Sequence, residues 1–196
     1  MSAKPISPKM HLLALTLVLV VSPLTFGAIH DLTSSDKNHI LKKHNDYRQA
    51  EPAKTMPDLT WSDALAKEAQ AWTDKCGFSH QSGKPWGENI AAKSARSGTS
   101  NTGAIDYMIN LWTKEAQYNT DGSFSCCSRS EHRCCHLTQV VWAKTTEVGC
   151  GMTLCPTLTT SSGSMSNAAF MACYYNPPGN KPVSKCIFDW SPYEQN

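Results

Sequence analysis

Nine cysteines in a chain of 196 residues constrain this fold more than any other feature of the sequence. They are Cys76, Cys126, Cys127, Cys134, Cys135, Cys150, Cys155, Cys173 and Cys186. In an exported chain, cysteines at this density indicate a disulfide framework. Because nine is an odd number, at least one cysteine is a free thiol, pairs with another chain or carries an adduct.

The N-terminus predicts that the chain is exported. Lys4 and Lys9 precede an apolar run at residues 12–21, and small residues follow it. This order is typical of a secretory signal peptide, residues 1–27, cleaved after Gly27 or Ala28. A membrane anchor is the alternative, but a spanning helix needs about 20 apolar residues. We therefore expect a secreted, extracellular protein with no stable membrane anchor.

The charge balance excludes some classes of partner. The chain has 18 Lys and Arg against 16 Asp and Glu. Both excess cations, Lys4 and Lys9, lie in the signal segment, so the mature chain is close to neutral. Without a basic run, there is no electrostatic reason to expect nucleic acid or an anionic membrane as partner. The length suits a single domain.

Two helices are predicted in the first half of the mature chain. The first covers residues 36–49, and its N-cap candidates are Ser34, Ser35 and Asp36. The second begins at Thr60, where Asp63 would complete a capping box, and ends at Gly77.

A third helix is predicted after residue 103, with Glu115 at the border of its buried face. Its apolar stripe consists of Ile105, Met108, Ile109, Trp112 and Ala116. At about 100° per residue, Glu115 lies about 20° from Met108 around the helix axis. A charge in that position needs a partner, a metal ion or a raised pKa.

The second half of the chain predicts strands. Residues 148–154 and 169–175 have strand composition, and a Ser/Thr/Gly-rich loop is expected at 156–167. A polar, Cys-rich loop at 119–133 precedes them. Helices followed by strands favour helices packed on an antiparallel sheet.

A zinc knot is the alternative to disulfides in the Cys-rich loop. Its ligands would be the adjacent pairs Cys126–Cys127 and Cys134–Cys135. Structural zinc sites usually separate paired cysteines by two to four residues, so the sequence favours disulfides here.

Four motifs resemble those of the CAP superfamily, which comprises cysteine-rich secretory proteins, antigen 5 and pathogenesis-related 1 proteins. They are HNDYR at 44–48, GENI at 87–90, HLTQVVW at 136–142 and FMACYYNPPGN at 170–180. Each motif is weak alone, but four in the family's order are specific. The resemblance implies an α+β fold, a three-layer α-β-α sandwich with an antiparallel sheet. It implies one domain at 28–196 with a short C-terminal tail and no additional Cys-rich domain.

The resemblance also implies a cleft lined by two histidines and two glutamates. They correspond to His80, Glu88, Glu115 and His136. Such a cleft can bind Zn²⁺ or another divalent cation, although no cofactor is expected to be obligatory. The two imidazoles are the expected ligands, with the carboxylates as further ligands or as hydrogen-bond partners of the imidazoles. No local pair has the spacing of a metal-binding helix motif such as HExxH.

By the same resemblance, we expect the disulfides Cys76–Cys155 and Cys150–Cys173. Cys126 or Cys127 should then bond Cys134 or Cys135, and Cys186 stays unassigned. The family usually has an aromatic residue where this chain has Leu137. We interpret His44, Asn45 and Arg48 as residues that stabilise the fold through hydrogen bonds.

The combination of export, neutral charge and no evident nucleophile favours a binding module over an enzyme. Its partner would be a sterol, another small lipid or an extracellular protein, and the chain would be a monomer or weak dimer. One alternative is a zinc-dependent hydrolase or protease with Glu88 or Glu115 as general base. The other is an interaction protein of defence, venom or reproductive fluid that uses the cleft as a scaffold.

Overall fold

The computed structural model describes residues 31–96, 98–127, 132–180 and 192–194. The helices are α1 (Ser34–Ala50), α2 (Asp63–Thr73), α3 (Asn101–Thr113) and α4 (Cys135–Val140), with a 3-10 helix, η1 (Lys114–Tyr118), directly after α3. The strands are β1 (Thr60–Trp61), β2 (Gly87–Ser94), β3 (Glu147–Thr160) and β4 (Gly163–Asn176). The predicted signal peptide and Cys186 lie outside the described residues.

The four strands form one sheet in the order β1-β3-β4-β2. β3 and β4 form a long antiparallel hairpin, and β2 pairs antiparallel with β4. The two-residue strand β1 pairs parallel with β3, so the sheet is antiparallel except at this edge. β2 forms the opposite edge of the sheet.

Helices cover both faces of the sheet, which confirms the predicted α-β-α sandwich. α2 packs on one face, with Leu65 and Ala69 among its buried residues. α1, α3 and α4 pack on the other face. A Cβ on Gly149 would lie 2.4 Å from the Ala66 nitrogen, and one on Gly151 would lie 2.3 Å from the Gln70 nitrogen. These two glycines therefore allow the backbone of α2 to lie directly against β3.

The strand predictions were too short. The expected loop at 156–167 is wrong, because β3 and β4 continue pairing as far as Thr160 and Gly163. The motif at 87–90, which lies in the first half of the mature chain where no strand was expected, begins β2. Its buried positions do not alternate along the strand, so it lacks the period of two that predicts a half-buried strand.

Two helix starts differ from the prediction. The N-cap of α1 is Thr33, whose side chain accepts from the Asp36 N–H while Asp36 accepts from the Thr33 N–H. The predicted start of α2 at Thr60 is wrong, because Thr60 belongs to β1 and the helix begins at Asp63. The Asp63 carboxylate accepts from Lys37 and from the Trp61 indole instead of completing a capping box.

The third predicted helix continues too far. α3 ends at Thr113, and the 3-10 geometry of η1 changes the rotation per residue. Ala116 is consequently exposed rather than part of the apolar stripe. The four α3 residues of that stripe are buried: Ile105, Met108, Ile109 and Trp112.

Four disulfides connect eight of the nine cysteines. They are Cys76–Cys155, Cys126–Cys134, Cys127–Cys135 and Cys150–Cys173. The two adjacent cysteine pairs are therefore occupied by disulfides rather than by a zinc knot. Within the described ranges, no helix is both long and apolar enough to cross a membrane.

Buried polar residues of α1 hold the helix layer to the sheet. His44 is fully buried, its Nδ1–H donates to the Ile40 carbonyl at 2.8 Å, and its Nε2 accepts from the Tyr175 hydroxyl at 2.9 Å. Burial lowers the pKa of His44 to about 4, so the ring is neutral at pH 7. Arg48 is equally buried and donates to four backbone carbonyls, those of Pro57, Val140, Trp142 and Thr145. These hydrogen bonds of His44 and Arg48 connect α1 to neighbouring parts of the chain and stabilise the fold.

Candidate ligand-binding cleft

The first histidine–glutamate pair joins α4 to η1. His136 is the second residue of α4, and its Nδ1–H donates to Glu115 Oε1 at 2.6 Å. Glu115 Oε2 accepts from the backbone N–H groups of His136 and Leu137, both at 3.0 Å. The carboxylate therefore supplies acceptors for the first turn of a short helix as well as for the imidazole. Glu115 therefore has the hydrogen-bond partners that a charged side chain at the border of a buried helix face requires.

The imidazole of His136 is also held by an aromatic neighbour. Its ring stacks on the Trp112 indole, with centroids 6.3 Å apart and planes 14° from parallel. The Trp112 Nε1–H in turn donates to the Ile90 carbonyl at 3.2 Å. Because Nδ1 is the donor to Glu115, the neutral tautomer leaves Nε2 as an acceptor.

The second pair joins the loop after α2 to β2. His80 Nδ1 donates to Glu88 Oε2 at 2.6 Å, and both Glu88 oxygens accept from the Gln81 N–H, at 3.1 and 3.2 Å. The hydrogen bond to Glu88 raises the pKa of His80 above its ordinary value. The side chain of His80 is 63% exposed, whereas that of Glu88 is 9% exposed.

β2 separates the two pairs. Glu88 projects to the α2 face of the sheet, as does Ile90 two residues later. Asn89 projects to the other face, where its side-chain amide donates to the His136 carbonyl at 2.9 Å. The four predicted site residues thus form two carboxylate–imidazole pairs on either side of one edge strand.

A cavity of about 770 Å³ lies beside the first pair. It extends around the free edge of β2, because Ala91 faces α3 and Ala92 faces the opposite side, and both line it. Glu115 and His136 belong to its wall, whereas His80 and Glu88 lie outside its lining. The rest of the wall includes Phe78, Leu111, Trp112 and Met165.

The donor set restricts how a metal ion could bind. Both carboxylates already accept hydrogen bonds from an imidazole and from backbone N–H groups. Among the described residues, no group of three or more His, Cys, Asp or Glu could hold a metal ion. A shell of all four predicted residues therefore does not fit this arrangement. What the pairs do offer is one oriented imidazole each, with Nε2 directed away from its carboxylate.

Sequence reasoning missed the residues that position the pairs. Asn89 lies inside the motif at 87–90, so its polar side chain beside Glu88 was a usable signal. Trp112 precedes Glu115 by three residues, a helical spacing that places both side chains on one face. Gln81 contributes only its backbone N–H, which no side-chain pattern indicates.

Comparison with known proteins agrees with this architecture. The family profile described as CAP: Cysteine-rich secretory protein family matches residues 41–175. Venom allergen 5 of Dolichovespula arenaria is 32% identical over 174 residues, which cover 77% of this chain and 79% of the relative. GLIPR1-like protein 1 of Bos taurus is 36% identical over 155 residues, which cover 72% of this chain and 58% of the relative.

Solved structures show the same fold. The structure of NaASP2 with Zn²⁺ superposes with a TM-score of 0.65 at 24% identity, and the match covers 84% of this chain and 88% of that one. The structure of BmVAL-1 superposes with a TM-score of 0.64, also at 24% identity, and the match covers 84% of both chains. Because the family profile spans most of the chain and the relatives share its fold, this protein belongs to the CAP family of cysteine-rich secretory proteins.

Proposed function

We propose that this protein is an extracellular binding module whose cavity beside His136 and Glu115 holds a sterol or another small lipid. The cavity carries this proposal: its volume of about 770 Å³ lies within the range of small-molecule sites, about 300–1,000 Å³. Phe78, Leu111 and Met165 supply apolar wall, and the carboxylate–imidazole pair supplies a polar end.

Export of the domain at 28–196 is part of the proposal. The charged and apolar segments of residues 1–27 support it, as do the disulfides, which persist in oxidising compartments. The name of the relative Venom allergen 5 points in the same direction. The domain is proposed to act as a monomer or weak dimer.

The contacts of the carboxylates favour binding over hydrolysis. A general base must reach the water or substrate whose proton it removes. Glu115 accepts three hydrogen bonds from α4 and His136, and Glu88 accepts from His80 and Gln81. Both carboxylates thus orient an imidazole and the neighbouring backbone.

We further propose that Nε2 of His80 and Nε2 of His136 are the donors for Zn²⁺ or another divalent cation. Calorimetric titration with ZnCl₂ tests this, using His80→Ala, His136→Ala and the control His39→Ala. His39 is a suitable control because its ring pairs with Asp106 on α3, away from both pairs. Both site variants should weaken zinc binding at least tenfold, and the control should not. Zinc affinity that neither site variant changes would contradict the proposal.

The lipid proposal is tested by fluorescence titration with dehydroergosterol. Ala92→Trp fills the cavity, whereas Ala71→Trp places the same side chain on the exposed face of α2. We expect saturable binding that Ala92→Trp weakens at least tenfold, while Ala71→Trp retains it. No binding, or binding insensitive to Ala92→Trp in a folded variant, would refute the proposal.

A further inference from the structure

The Nε2 atom of His136 is a hydrogen-bond acceptor whose state is fixed by the fold. His136 Nδ1 lies 2.6 Å from Glu115 Oε1. Because a carboxylate has no proton to donate, Nδ1 carries the ring hydrogen, and Nε2 keeps its lone pair in the neutral ring. Glu115 is itself held in place, since its Oε2 accepts from the backbone N–H groups of His136 and Leu137. The first turn of α4 therefore sets the tautomer of His136.

Nε2 of His136 is also accessible. No hydrogen bond engages it in the part of the chain that the structure describes, where the ring bonds through Nδ1. The one buried side-chain nitrogen or oxygen without a partner among those residues is the indole nitrogen of Trp86. Nε2 also has no partner, so it is not buried. Because His136 lines the cavity, the space that Nε2 reaches is the space along the cavity wall.

The neighbours of His136 hold its ring in one orientation. The ring stacks on the Trp112 indole, with planes 14° from parallel, and the Asn89 amide donates to the His136 carbonyl at 2.9 Å. An acceptor held in this way loses little conformational entropy when a ligand binds to it.

The other uncharged polar side chains of the lining discriminate less between ligands. Each carries a donor as well as an acceptor, so it can bond to either kind of ligand group. They are Gln117, Thr160, Ser161, Ser162 and Ser164. The oxygens of Glu115 accept only, but both are already engaged. Nε2 of His136 is therefore the group at the cavity that demands a donor from its ligand.

We propose that Nε2 of His136 accepts a hydrogen bond from a free hydroxyl group of the bound lipid. This contact selects lipid alcohols over ethers, esters and hydrocarbons with the same skeleton. An ether or ester oxygen would face Nε2 with a second lone pair, and a hydrocarbon would leave Nε2 without a partner after water is displaced. The inference rests on the proposed lipid function and deepens it by naming the chemical class of the ligand.

Competition among three sterols tests the selectivity on the unaltered protein. They are dehydroergosterol, its 3-O-methyl ether and its 3-deoxy analogue, all of which keep the fluorescent ring system. EDTA keeps metal ions from Nε2, and an ordinary imidazole is uncharged at about pH 8. We expect the ether and the deoxy analogue to bind at least tenfold more weakly than the alcohol. Affinities within threefold of one another would overturn the inference.

A variant assigns the selectivity to His136. His136→Phe keeps an aromatic ring beside Trp112 but removes Nε2, and His39→Phe is the control on α1, where His39 pairs with Asp106. His136→Phe should bind dehydroergosterol at least tenfold more weakly and should bind the alcohol and the ether within threefold of each other. His39→Phe should keep the tenfold preference. A preference that persists in folded His136→Phe would overturn the inference.

The ¹⁵N signals of the His136 ring give a second measurement that needs no substitution. Addition of dehydroergosterol should move the Nε2 signal upfield, as hydrogen bonding does to an unprotonated ring nitrogen, and addition of the ether should not. An Nε2 signal that does not respond to bound dehydroergosterol would contradict the contact, whether or not His136→Phe folds.

These outcomes separate the inference from the proposed function. Binding of all three sterols with similar affinity would leave the lipid function in place and overturn the selection of a hydroxyl group. Failure of all three to bind would refute the lipid function, and the inference with it.

Discussion

The two carboxylate–imidazole pairs have the same hydrogen bond but different surroundings. In both, Nδ1 of the histidine donates to a glutamate at 2.6 Å, and the glutamate is the more buried partner. His136 is 32% exposed and stacks on Trp112, whereas His80 is 63% exposed. The His136 imidazole is therefore held by Glu115 and Trp112, whereas among the described residues the His80 imidazole is hydrogen-bonded to Glu88.

This difference indicates separate roles for the two pairs. Glu115 accepts hydrogen bonds from the first turn of α4, so the same contacts that stabilise this helix also fix the position of His136. His136 lines the cavity. His80 extends from a loop, and most of its side chain is exposed to solvent. A disulfide-bonded cysteine lies shortly before each histidine in the sequence. Cys135 directly precedes His136, and Cys76 lies four residues before His80.

Removing the longer of two disulfides should give the largest effect, and comparison with the shorter one should separate stability from site geometry. Cys76→Ser with Cys155→Ser opens a crosslink spanning 79 residues, with an expected loss of about 4.5 kcal/mol. Cys127→Ser with Cys135→Ser opens one spanning 8 residues, with an expected loss of about 2.5 kcal/mol. Denaturant unfolding measures both losses.

The histidine NMR signals give the second readout for these variants. Removing the shorter crosslink should reduce the stability less than removing the longer one. It should nevertheless shift the His136 ring signal more, because Cys135 adjoins His136. If the His136 signal shifts more when the Cys76–Cys155 disulfide is removed, the Cys127–Cys135 disulfide does not fix the position of His136 as described.

Substituting the two glutamates should give the next largest effects. Glu115→Ala leaves the N–H groups of His136 and Leu137 without an acceptor, and we expect a loss of about 3 kcal/mol. Glu88→Ala affects the Gln81 N–H and an exposed imidazole, and we expect about 1 kcal/mol. Denaturant unfolding at pH 7 gives both values. Equal losses would show that the two carboxylates do not differ as described.

The stability of the protein should depend on pH through His44, the buried histidine outside both pairs. Its pKa is about 4 when folded and about 6.5 when unfolded, so between these pH values the unfolded chain binds the additional proton. The free energy of unfolding should therefore fall as the pH drops from about 6.5 to 4, by up to about 1.4 kcal/mol per unit. A His44→Gln variant should lose this part of the slope, and an unchanged slope would show that another group causes it.

The smallest expected effect is on the titration of His80. Its pKa is raised by Glu88, so the stabilisation is present at low pH and is lost as the pH rises through the folded-state pKa. NMR titration should give a value above 6.5 that falls in Glu88→Gln but not in Glu115→Gln. A response to Glu115→Gln instead would mean that the pairs are not independent.

Sequence periodicity predicted the buried face of α3 because its apolar residues follow the helical repeat. β2 was missed because buried residues occupy both of its faces, which removes the alternation that marks a strand. The far end of the β3–β4 hairpin looked like a loop, since its Ser and Thr residues are paired through backbone bonds and need no apolar side chains.

The sequence predicted less of the candidate site than of the fold. The periodicity of α3 placed Glu115 near a buried face, but the partner of its carboxylate, the start of α4, is 21 residues away. Local patterns do not report such distant pairs, so the assignment of His80 and His136 depended on the family resemblance. The bonding choice within the Cys-rich loop was equally open, because adjacent cysteines differ by only one residue in register.

The proposed function places ligand binding in the cavity around the edge of β2. Amide chemical shifts of ¹⁵N-labelled protein, followed during titration with dehydroergosterol, test the location most directly. We predict that the largest changes occur at residues 90–92 and 111–118 and at His136. Saturable binding with its largest changes on the exposed faces of α1 or α2 would contradict the account.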